Sequence, residues 1–529
     1  MIPLSRRSAL AGALATTTAV FPSLTRADTP TRGGSLHVIL NPEPPSLGMA
    51  LAPQVPVQLV AGKILQGLLT YDAKLNPVPA LAKSWEISAD GLVWTFHLQP
   101  DVTWHDGKPF SADDVVFSIT KFLPELSARA RGNFSVIAEA SAPDPLTVVF
   151  RLKQPFPAFL YALDVIGGGI VPRHVYEGTD FRKNPANTAP IGTGPFRFVE
   201  WQRGRFIRLA RYDKYWKPSK PYLDEIVFEI IPDAASRAVA LETGQVQLAS
   251  FNDVEFFDVA RLSAVPTLEL VKGGYEFFSP QMWIELNHRV GPLADKRFRQ
   301  AILYALDRTF IRDKLWFGFG EVAVGPLARS TRYFDPSLRP RPFNPARAEA
   351  LMEEMGLHRG TDGTRVKLRL MPLPYGEVWT RLAEYIRQSL GKVGIQVTLD
   401  ATDAAGWVKR LADWEYEMTV SYGYQYADPA ARLEHSYMTA DIRKGVPFNN
   451  SMGYSNPEVD ALFEKAQAST SDDERRQLYS KVQHILWEDV PLAWLLEMKF
   501  PTYVDRRYRN VITTGLGVVD TFDEAYLAK

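Results

Sequence analysis

Cysteine is absent from all 529 residues of the sequence. This absence excludes disulfide bonds, thiolate metal sites, cysteine nucleophiles and a lipidated cysteine anchor. An excess of one charge is also absent, because 60 lysine and arginine residues balance 60 aspartate and glutamate residues. Nucleic-acid-binding proteins usually carry a basic excess or a basic stripe, so this balance argues against that class.

The compact motifs of common enzymes are missing as well. Each Gly-Lys pair is followed by Ile, Pro or Val, which excludes a phosphate-binding P-loop. The eight histidines lack the His-x-x-x-His spacing of a metal site, and no Gly-x-Ser-x-Gly nucleophile elbow occurs. A partial dinucleotide fingerprint at 318–323 follows a helical pattern instead of a strand, so a turn is favoured there. We therefore expect no catalytic residue, no metal and no cofactor.

Long apolar runs are scarce, and the N-terminus shows only a short one. Arg6 and Arg7 precede an apolar run at 9–15, and small residues around Ala27 offer a cleavage site. This pattern predicts a twin-arginine-like signal peptide over residues 1–27, removed near Ala27. The alternative, a membrane-spanning helix, would need about 18–20 apolar residues in succession. The rest of the chain is too long for one hydrophobic core, so more than one domain is expected.

The most informative stretch is residues 81–119. Apolar and polar residues alternate from Trp94 to Leu98, which is the two-residue period of a half-buried strand. Two Asp-Gly dipeptides mark turns on either side of this strand. Ser111 and Asp114 then form a capping-box pattern that predicts the start of a helix.

Further landmarks follow along the chain. Residues 34–40 alternate as a strand and lead into a proline-rich loop at 41–47. Gly-Thr-Gly-Pro at 192–195 permits a tight return of the backbone before a second alternating run. Residues 286–311 include apolar side chains at helical spacing, and a capping box at 471–474 opens another helix. Strands mixed with helices throughout predict an α/β protein.

These elements, in this order, resemble the family 5 extracellular solute-binding proteins of ABC importers, which include the dipeptide- and oligopeptide-binding proteins. The resemblance covers essentially the whole chain after the signal peptide. It implies an α/β, two-lobed periplasmic-binding-protein fold of type II, in its large cluster C form. It also implies an extra subdomain inserted in the first lobe.

The resemblance places the domain boundaries. Lobe 1 is expected at 31–58, 175–272 and 500–529, with the inserted subdomain at 59–174. Lobe 2 is expected at 273–499.

The implied function is that of a receptor that captures a solute between two lobes by hinge closure. We expect di- or oligopeptides as ligands, delivery to an inner-membrane ABC permease complex, and a monomer in the periplasm of a Gram-negative cell. Within the same role, the alternatives are an oligosaccharide, an opine-like conjugate or a metal chelate. A secreted hydrolase and a chaperone-like binder of unfolded segments are the rivals from other classes.

One loop departs from the family's pattern. In the family's peptide binders, an aspartate of a second-lobe loop holds the ligand's amino group, and that loop resembles residues 421–429 here. Alignment of Asp428-Pro429 with the family's Asp-Pro places Gln425 at the amine-anchoring position. A carboxamide does not balance a buried ammonium charge, so the usual mode of free-amine binding is in doubt.

The remaining candidate contacts are aromatic residues, which have packing in a lobe core as their alternative, and small residues that let a ligand approach the backbone. The ligand contacts expected from the sequence are Ser46, Gly168, Tyr275, Phe277, Trp283, Gly423, Tyr424, Gln425, Tyr426 and Asp428.

Overall fold

The computed structural model describes residues 30–52 and 54–528. The signal peptide predicted over residues 1–27 lies outside these ranges. Within them, no helix combines the length and the apolar character that a membrane span requires.

The first lobe is built on a mixed sheet of seven strands. Leu36 and Val38 are fully buried on the central strand, which confirms the predicted alternation. In spatial order the strands are Leu268–Val271, Thr502–Asp505, Leu248–Ala249, Ser35–Leu40, Glu225–Ile230, Phe206–Arg211 and Phe196–Gln202.

The second lobe is built on a mixed sheet of six strands. Its strand Gln281–Leu286 is antiparallel to both of its neighbours, Leu492–Glu497 and Met418–Gly423. In spatial order the strands are Glu321–Val322, Leu492–Glu497, Gln281–Leu286, Met418–Gly423, Val366–Met371 and Ile395–Leu399.

A third sheet, of four antiparallel strands, has a hydrophobic core of its own. Trp94 and Phe96 are buried in that core, as the alternation predicts. The Asp114 carboxylate accepts a hydrogen bond of 2.9 Å from the backbone N–H of Ser111 at the start of helix Ala112–Phe117, which confirms the predicted helix start. In spatial order the strands are Ala82–Ile87, Val93–Leu98, Thr147–Leu152 and Ile137–Asp144.

The α-helices cover the faces of these sheets and connect their strands. Ser471 caps one of them by accepting a hydrogen bond from the backbone N–H of Glu474, as its capping box predicts. The helices are Val55–Ala61, Ala112–Phe117, Leu123–Leu126, Ala128–Phe134, Val165–Gly168, Arg173–Tyr176, Ala234–Glu242, Val259–Ser263, Lys296–Tyr304, Arg308–Phe310, Pro345–Glu354, Glu377–Lys392, Ala404–Asp413, Pro457–Ala468 and Asp472–Asp489. The short strand pairs are Leu69–Tyr71 with Pro77–Pro79, and Tyr508–Arg509 with Tyr526–Leu527.

The chain crosses between the two large sheets at residues 272–280 and again at 498–501. Aromatic rings pack where the two crossings lie side by side. The ring of Tyr275 lies 4.9 Å from that of Phe251 and 5.4 Å from that of Phe500, between centroids. Two lobes joined by paired crossings, with an extra sheet on the first lobe, form the arrangement that the sequence predicts.

Candidate ligand-binding cleft

A cavity of about 1050 Å³ lies between the two lobes. Its volume is at the upper end of the range of roughly 300–1,000 Å³ that is typical of ligand pockets, so it has room for a whole small solute. Its walls come mainly from parts of 47–51, 122–135 and 165–171 on one side and of 281–285, 421–426 and 431–449 on the other.

Three tyrosines of the predicted loop line this cavity: Tyr422, Tyr424 and Tyr426. The ring of Tyr422 stacks on Trp379, with centroids 5.4 Å apart, and Tyr424 packs edge-on between the other two tyrosines. The rings therefore combine the two interpretations left open by the sequence, because each packs against its lobe and also faces the cavity.

Gly423 is required by the packing of the cavity wall. A Cβ atom at this position would lie 2.8 Å from Cη2 of Trp283, which also lines the cavity. The glycine leaves room for the indole ring against the neighbouring strand, so these two predicted contacts form one surface.

The backbone of the loop is strained just beyond this point. Tyr426 and Ala427 both adopt left-handed conformations, with φ of 53° and 65°. Such conformations cost non-glycine residues about 1–3 kcal/mol each and persist only where the surroundings impose them. Here the backbone N–H of Ala427 donates to the carbonyl of Phe277, and its carbonyl accepts from the N–H of Arg332. The strained turn directs the ring of Tyr426 toward the first lobe.

The side-chain amide of Gln425 makes all of its hydrogen bonds to other residues of the protein. Its Oε1 accepts hydrogen bonds from the backbone N–H of Ala328 at 3.0 Å and from the Thr331 hydroxyl at 2.6 Å. Its Nε2 donates to Oε1 of Gln281 at 3.0 Å and to the carbonyl of Pro326 at 2.9 Å. These four bonds exhaust the capacity of a carboxamide. Gln425 therefore has no free donor or acceptor with which to anchor a ligand amine.

Asp428, unlike Gln425, is not part of the cavity wall. Its fully buried carboxylate accepts two hydrogen bonds from the Arg475 guanidinium, at 2.8 and 2.9 Å, and a third from the backbone N–H of Ala430. A bidentate buried pair of this kind is satisfied within the protein. This carboxylate holds the loop in place.

Four further residues that the sequence predicts as ligand contacts do not line the cavity: Ser46, Gly168, Tyr275 and Phe277. Tyr275 bonds through its hydroxyl to Thr502 at the crossing between the lobes. Phe277, which is fully buried, stacks on the ring of Tyr71 with centroids 5.1 Å apart. These positions correct the expectation of direct contact, because the packing of the crossing segments uses both rings.

Ser46 and Gly168 also serve local structure. The Ser46 hydroxyl donates to the carbonyl of Asn187 and accepts from the N–H of Gly48, which shapes the turn beside the cavity. A Cβ atom on Gly168 would lie 2.7 Å from the carbonyl oxygen of Ala162. The backbone of Gly167 and Gly169, on either side, lines the cavity instead.

Charged residues that the sequence did not single out also line the cavity. The guanidinium of Arg129 stacks on Tyr426, with Cζ 3.6 Å from the ring centroid. Its Nε and Nη2 are buried and have no hydrogen-bond partner among the described residues. Arg432 lies close by, and its pKa is lowered first by burial and also by the charge of Arg129. Two carboxyl groups lie near these arginines: Asp164, whose pKa is raised by burial, interacts with Arg129, and Asp441, which is paired with His435, interacts with Arg432.

The second lobe contributes an acidic side chain at the other end of the cavity. Along strand Gln281–Leu286, Gln281, Trp283 and Glu285 line the cavity, whereas Met282 and Ile284 point into the lobe core. The Tyr416 hydroxyl donates to Oε1 of Glu285 at 2.7 Å. Burial raises the pKa of Glu285 to about 7.

The model of one protein family, "Bacterial extracellular solute-binding proteins, family 5 Middle", matches residues 76–444. The chain belongs to this family. The glutathione-binding protein GsiB of Pectobacterium atrosepticum is 30% identical over 446 residues, which cover 83% of this chain and 84% of that protein.

Solved structures of similar proteins share the fold of this family 5 protein. The periplasmic binding protein DppA of Helicobacter pylori, in complex with the peptide STSA, has a TM-score of 0.80 at 26% identity. It aligns over 94% of this chain and 99% of its own. The binding protein AgaA of A. tumefaciens, in complex with agropinic acid, has a TM-score of 0.79 at 27% identity, over 94% of this chain and 99% of its own.

The predicted family, fold and receptor role are confirmed by these similarities. The protein is a solute-binding receptor of an ABC importer that acts outside the cytoplasmic membrane, and its relatives are binding proteins, not enzymes. In this family 5 receptor, the position of Glu285 could have been found from the sequence. Gln281, Trp283 and Glu285 alternate with Met282 and Ile284, which is the pattern of a strand with one face outside the core. Arg129 had none, because it belongs to a helix far from the predicted loop.

Proposed function

We propose that this receptor binds di- to oligopeptides and holds a carboxylate of the peptide between its two lobes. The observation that carries the proposal is Arg129, which lines the cavity and has two buried guanidinium nitrogen atoms without hydrogen-bond partners in the described chain. A buried donor that lacks a partner costs about 1–3 kcal/mol, more when it is charged. A carboxylate supplies two acceptors in the planar geometry of a guanidinium and removes that cost.

The surroundings of Arg129 favour an anion of this size. Arg432 adds a second positive charge, and its pKa is lowered because burial and Arg129 both oppose that charge. A bound carboxylate relieves the repulsion between the two guanidinium groups. Peptides always offer such a group at the C-terminus.

Closure of the cleft is coupled to the same residues. Arg129 of the inserted subdomain contacts Tyr426 of the second lobe, and Arg332 of the second lobe donates a hydrogen bond of 2.6 Å to the Tyr161 hydroxyl of the subdomain. A ligand that binds beside these contacts stabilises the closed arrangement over the open one. A closed, loaded receptor is then the species presented to the permease.

The proposal includes the finer features expected from the sequence. Lobe 1 comprises 31–58, 175–272 and 500–529, the subdomain 59–174, and lobe 2 residues 273–499. The protein is exported with a signal peptide over the first 27 residues and works as a monomer in the periplasm of a Gram-negative cell. Its partner is an inner-membrane ABC permease, and it turns over no substrate. The similarity to family 5 proteins over nearly the whole chain supports these features.

An opine-like carboxylate conjugate is the second candidate ligand. It is favoured by the loop, in which Gln425 is saturated and Asp428 is paired with Arg475, so that no acidic group of this loop is free to hold a peptide amine. The similarity to AgaA in complex with agropinic acid supports it as well. The two candidates share a carboxylate and differ in the peptide backbone.

Calorimetry with matched ligands tests the proposal. We expect di- to tetrapeptides to bind the wild-type protein, and their C-terminal amides to bind at least about tenfold more weakly. Arg129→Gln should abolish this difference. Arg131→Gln is the control, because Arg131 lies on the same helix and already donates to the carbonyl of Pro124. If opine-like conjugates bind while free peptides do not, the peptide assignment is wrong.

A further inference from the structure

The end of the cavity in the second lobe is lined by apolar side chains, by the carboxyl group of Glu285 and by Ser421, which lies opposite Trp283 in the sheet. Glu285 lies opposite Leu492 in the sheet, and Tyr437 and Met452 also line this end. Tyr437, Met452 and Leu492 belong to one buried apolar cluster, and Trp283 packs against it. This end of the cavity is therefore a largely hydrophobic subsite with an acid in its wall.

The Glu285 carboxyl is charged only at a cost in this setting. It is 6% exposed, and no charged group of the described residues acts on it. The hydroxyl of Tyr416 donates to it, and the indole N–H of Trp283 lies nearby, buried and without a hydrogen-bond partner among the described residues. A buried carboxylate without a cation is unfavourable, and burial accordingly raises the pKa of Glu285 to about 7. A cation placed here would compensate the carboxylate.

Distance separates this subsite from the loop at Gln425. Gln281, which bonds to Gln425, precedes Glu285 by four residues on the same strand. At about 3.3 Å per residue, the two positions are about 13 Å apart. A group bound at Glu285 is therefore well separated from Gln425 and its hydrogen bonds.

We propose that this subsite receives a basic side chain of the bound solute. The alkyl stem lies against Trp283, Met452 and Leu492, and the ammonium or guanidinium group pairs with Glu285. An apolar wall that carries a carboxylate matches the two chemical parts of a lysine or arginine side chain. The inference rests on the proposed peptide-binding function for the rest of the ligand, and it names the residue type that the receptor selects.

The proposal is tested with two kinds of probe on the purified mature protein at neutral pH. Calorimetry compares the tripeptides Ala-Lys-Ala and Ala-norleucine-Ala, which differ in the ammonium group. Thermal unfolding compares n-pentylammonium with n-pentanol, which carry the same stem without a peptide. The variants are Glu285→Gln and, as a control, Asp441→Asn, because Asp441 also lines the cavity but is paired with His435 at 2.8 Å.

We expect wild-type protein and Asp441→Asn to bind the lysine peptide at least about tenfold more tightly than the norleucine peptide. Glu285→Gln should bind both equally, and only proteins with Glu285 should be stabilised more by pentylammonium than by pentanol. Tripeptide binding without either preference would overturn the subsite and leave the peptide receptor standing. A Glu285-dependent effect of pentylammonium without any tripeptide binding would support the subsite and overturn the peptide assignment. No response to any probe would overturn both.

Discussion

The guanidinium of Arg129 lies 3.6 Å from the ring centroid of Tyr426. This contact joins the inserted subdomain to the loop at 421–429 of the second lobe. The two residues are far apart in sequence and meet only because the cleft is closed. The strained backbone at Tyr426 and the partnerless nitrogens of Arg129 both occur at this one contact. The lobes therefore touch at the proposed anion site.

Removal of this contact is expected to open the unliganded receptor. An arginine over an aromatic ring contributes about 0.5–2 kcal/mol, so Tyr426→Leu should lower the closed population severalfold. Small-angle scattering without ligand should show a larger radius of gyration. Tyr422→Leu is the matched control, since Tyr422 stacks on Trp379 within its own lobe. An unchanged radius for Tyr426→Leu would show that the contact does not hold the lobes together.

Gln425→Asp is expected to destabilise the protein without improving the binding of free-amine peptides. The carboxylate cannot donate to Gln281 Oε1 or to the carbonyl of Pro326, which leaves two buried acceptors without their donor. Each loss costs about 1–3 kcal/mol. Urea unfolding measures the effect, and Gln425→Glu, which keeps the length of the side chain, separates lost donors from lost volume. Tighter binding of free-amine peptides by a stable Gln425→Asp variant would contradict this account.

Gln425 shows which features of the site can be predicted from the sequence and which cannot. The sequence marks the loop by a local pattern of tyrosines, glycine and Asp-Pro, and three of its tyrosines line the cavity. The role of Gln425 was not accessible, because its partners Thr331, Ala328 and Gln281 lie 94, 97 and 144 residues away. An alignment gives a position, whereas the hydrogen bonds at that position depend on the tertiary structure.

The same dependence on tertiary structure separates the other features that could be predicted from those that could not. The strand around Trp94 and the cap at Ser111 depend on neighbours in sequence, and both were predicted. The packing of Tyr275 and Phe277 at the lobe crossing depends on Thr502 and Tyr71, which no local pattern connects to them. Aromatic residues near a cleft therefore could not be divided into wall and core from the sequence alone.

The buried pair of Asp428 and Arg475 is expected to contribute more to stability than an exposed ion pair. Asp428→Asn leaves the Arg475 guanidinium buried beside a neutral group, and breaking a buried pair in this way costs about 3–5 kcal/mol. The exposed pair of Glu377 and Arg381, four residues apart on a helix, is the control, and Glu377→Gln should cost at most about 0.5 kcal/mol. Urea unfolding of the two variants gives the comparison. Equal losses would mean that the buried pair is not structural.

Glu285 should make the stability of the unliganded receptor depend on pH. Burial raises its pKa from 4.5 to about 7, so between these values the folded protein keeps a proton that the unfolded chain has lost. The free energy of unfolding therefore falls as pH rises through this window, by at most about 3 kcal/mol from this group. Tyr416, Trp283 and Tyr437 face the carboxyl, and none of them supplies a positive charge.

Glu285→Gln removes this titration while keeping the size of the side chain. The variant should be close to wild type in stability at the acidic end of the window and more stable than wild type above it, with a difference of about 2–3 kcal/mol. Urea unfolding at both ends of the window measures the difference, and Glu377→Gln on the exposed helix surface should show no such trend. A difference that stays constant or shrinks with rising pH would mean that Glu285 is already ionised in the folded protein. In that case a cation of the receptor itself would already balance the carboxylate of Glu285. The subsite would then have no unbalanced charge with which to bind a basic side chain.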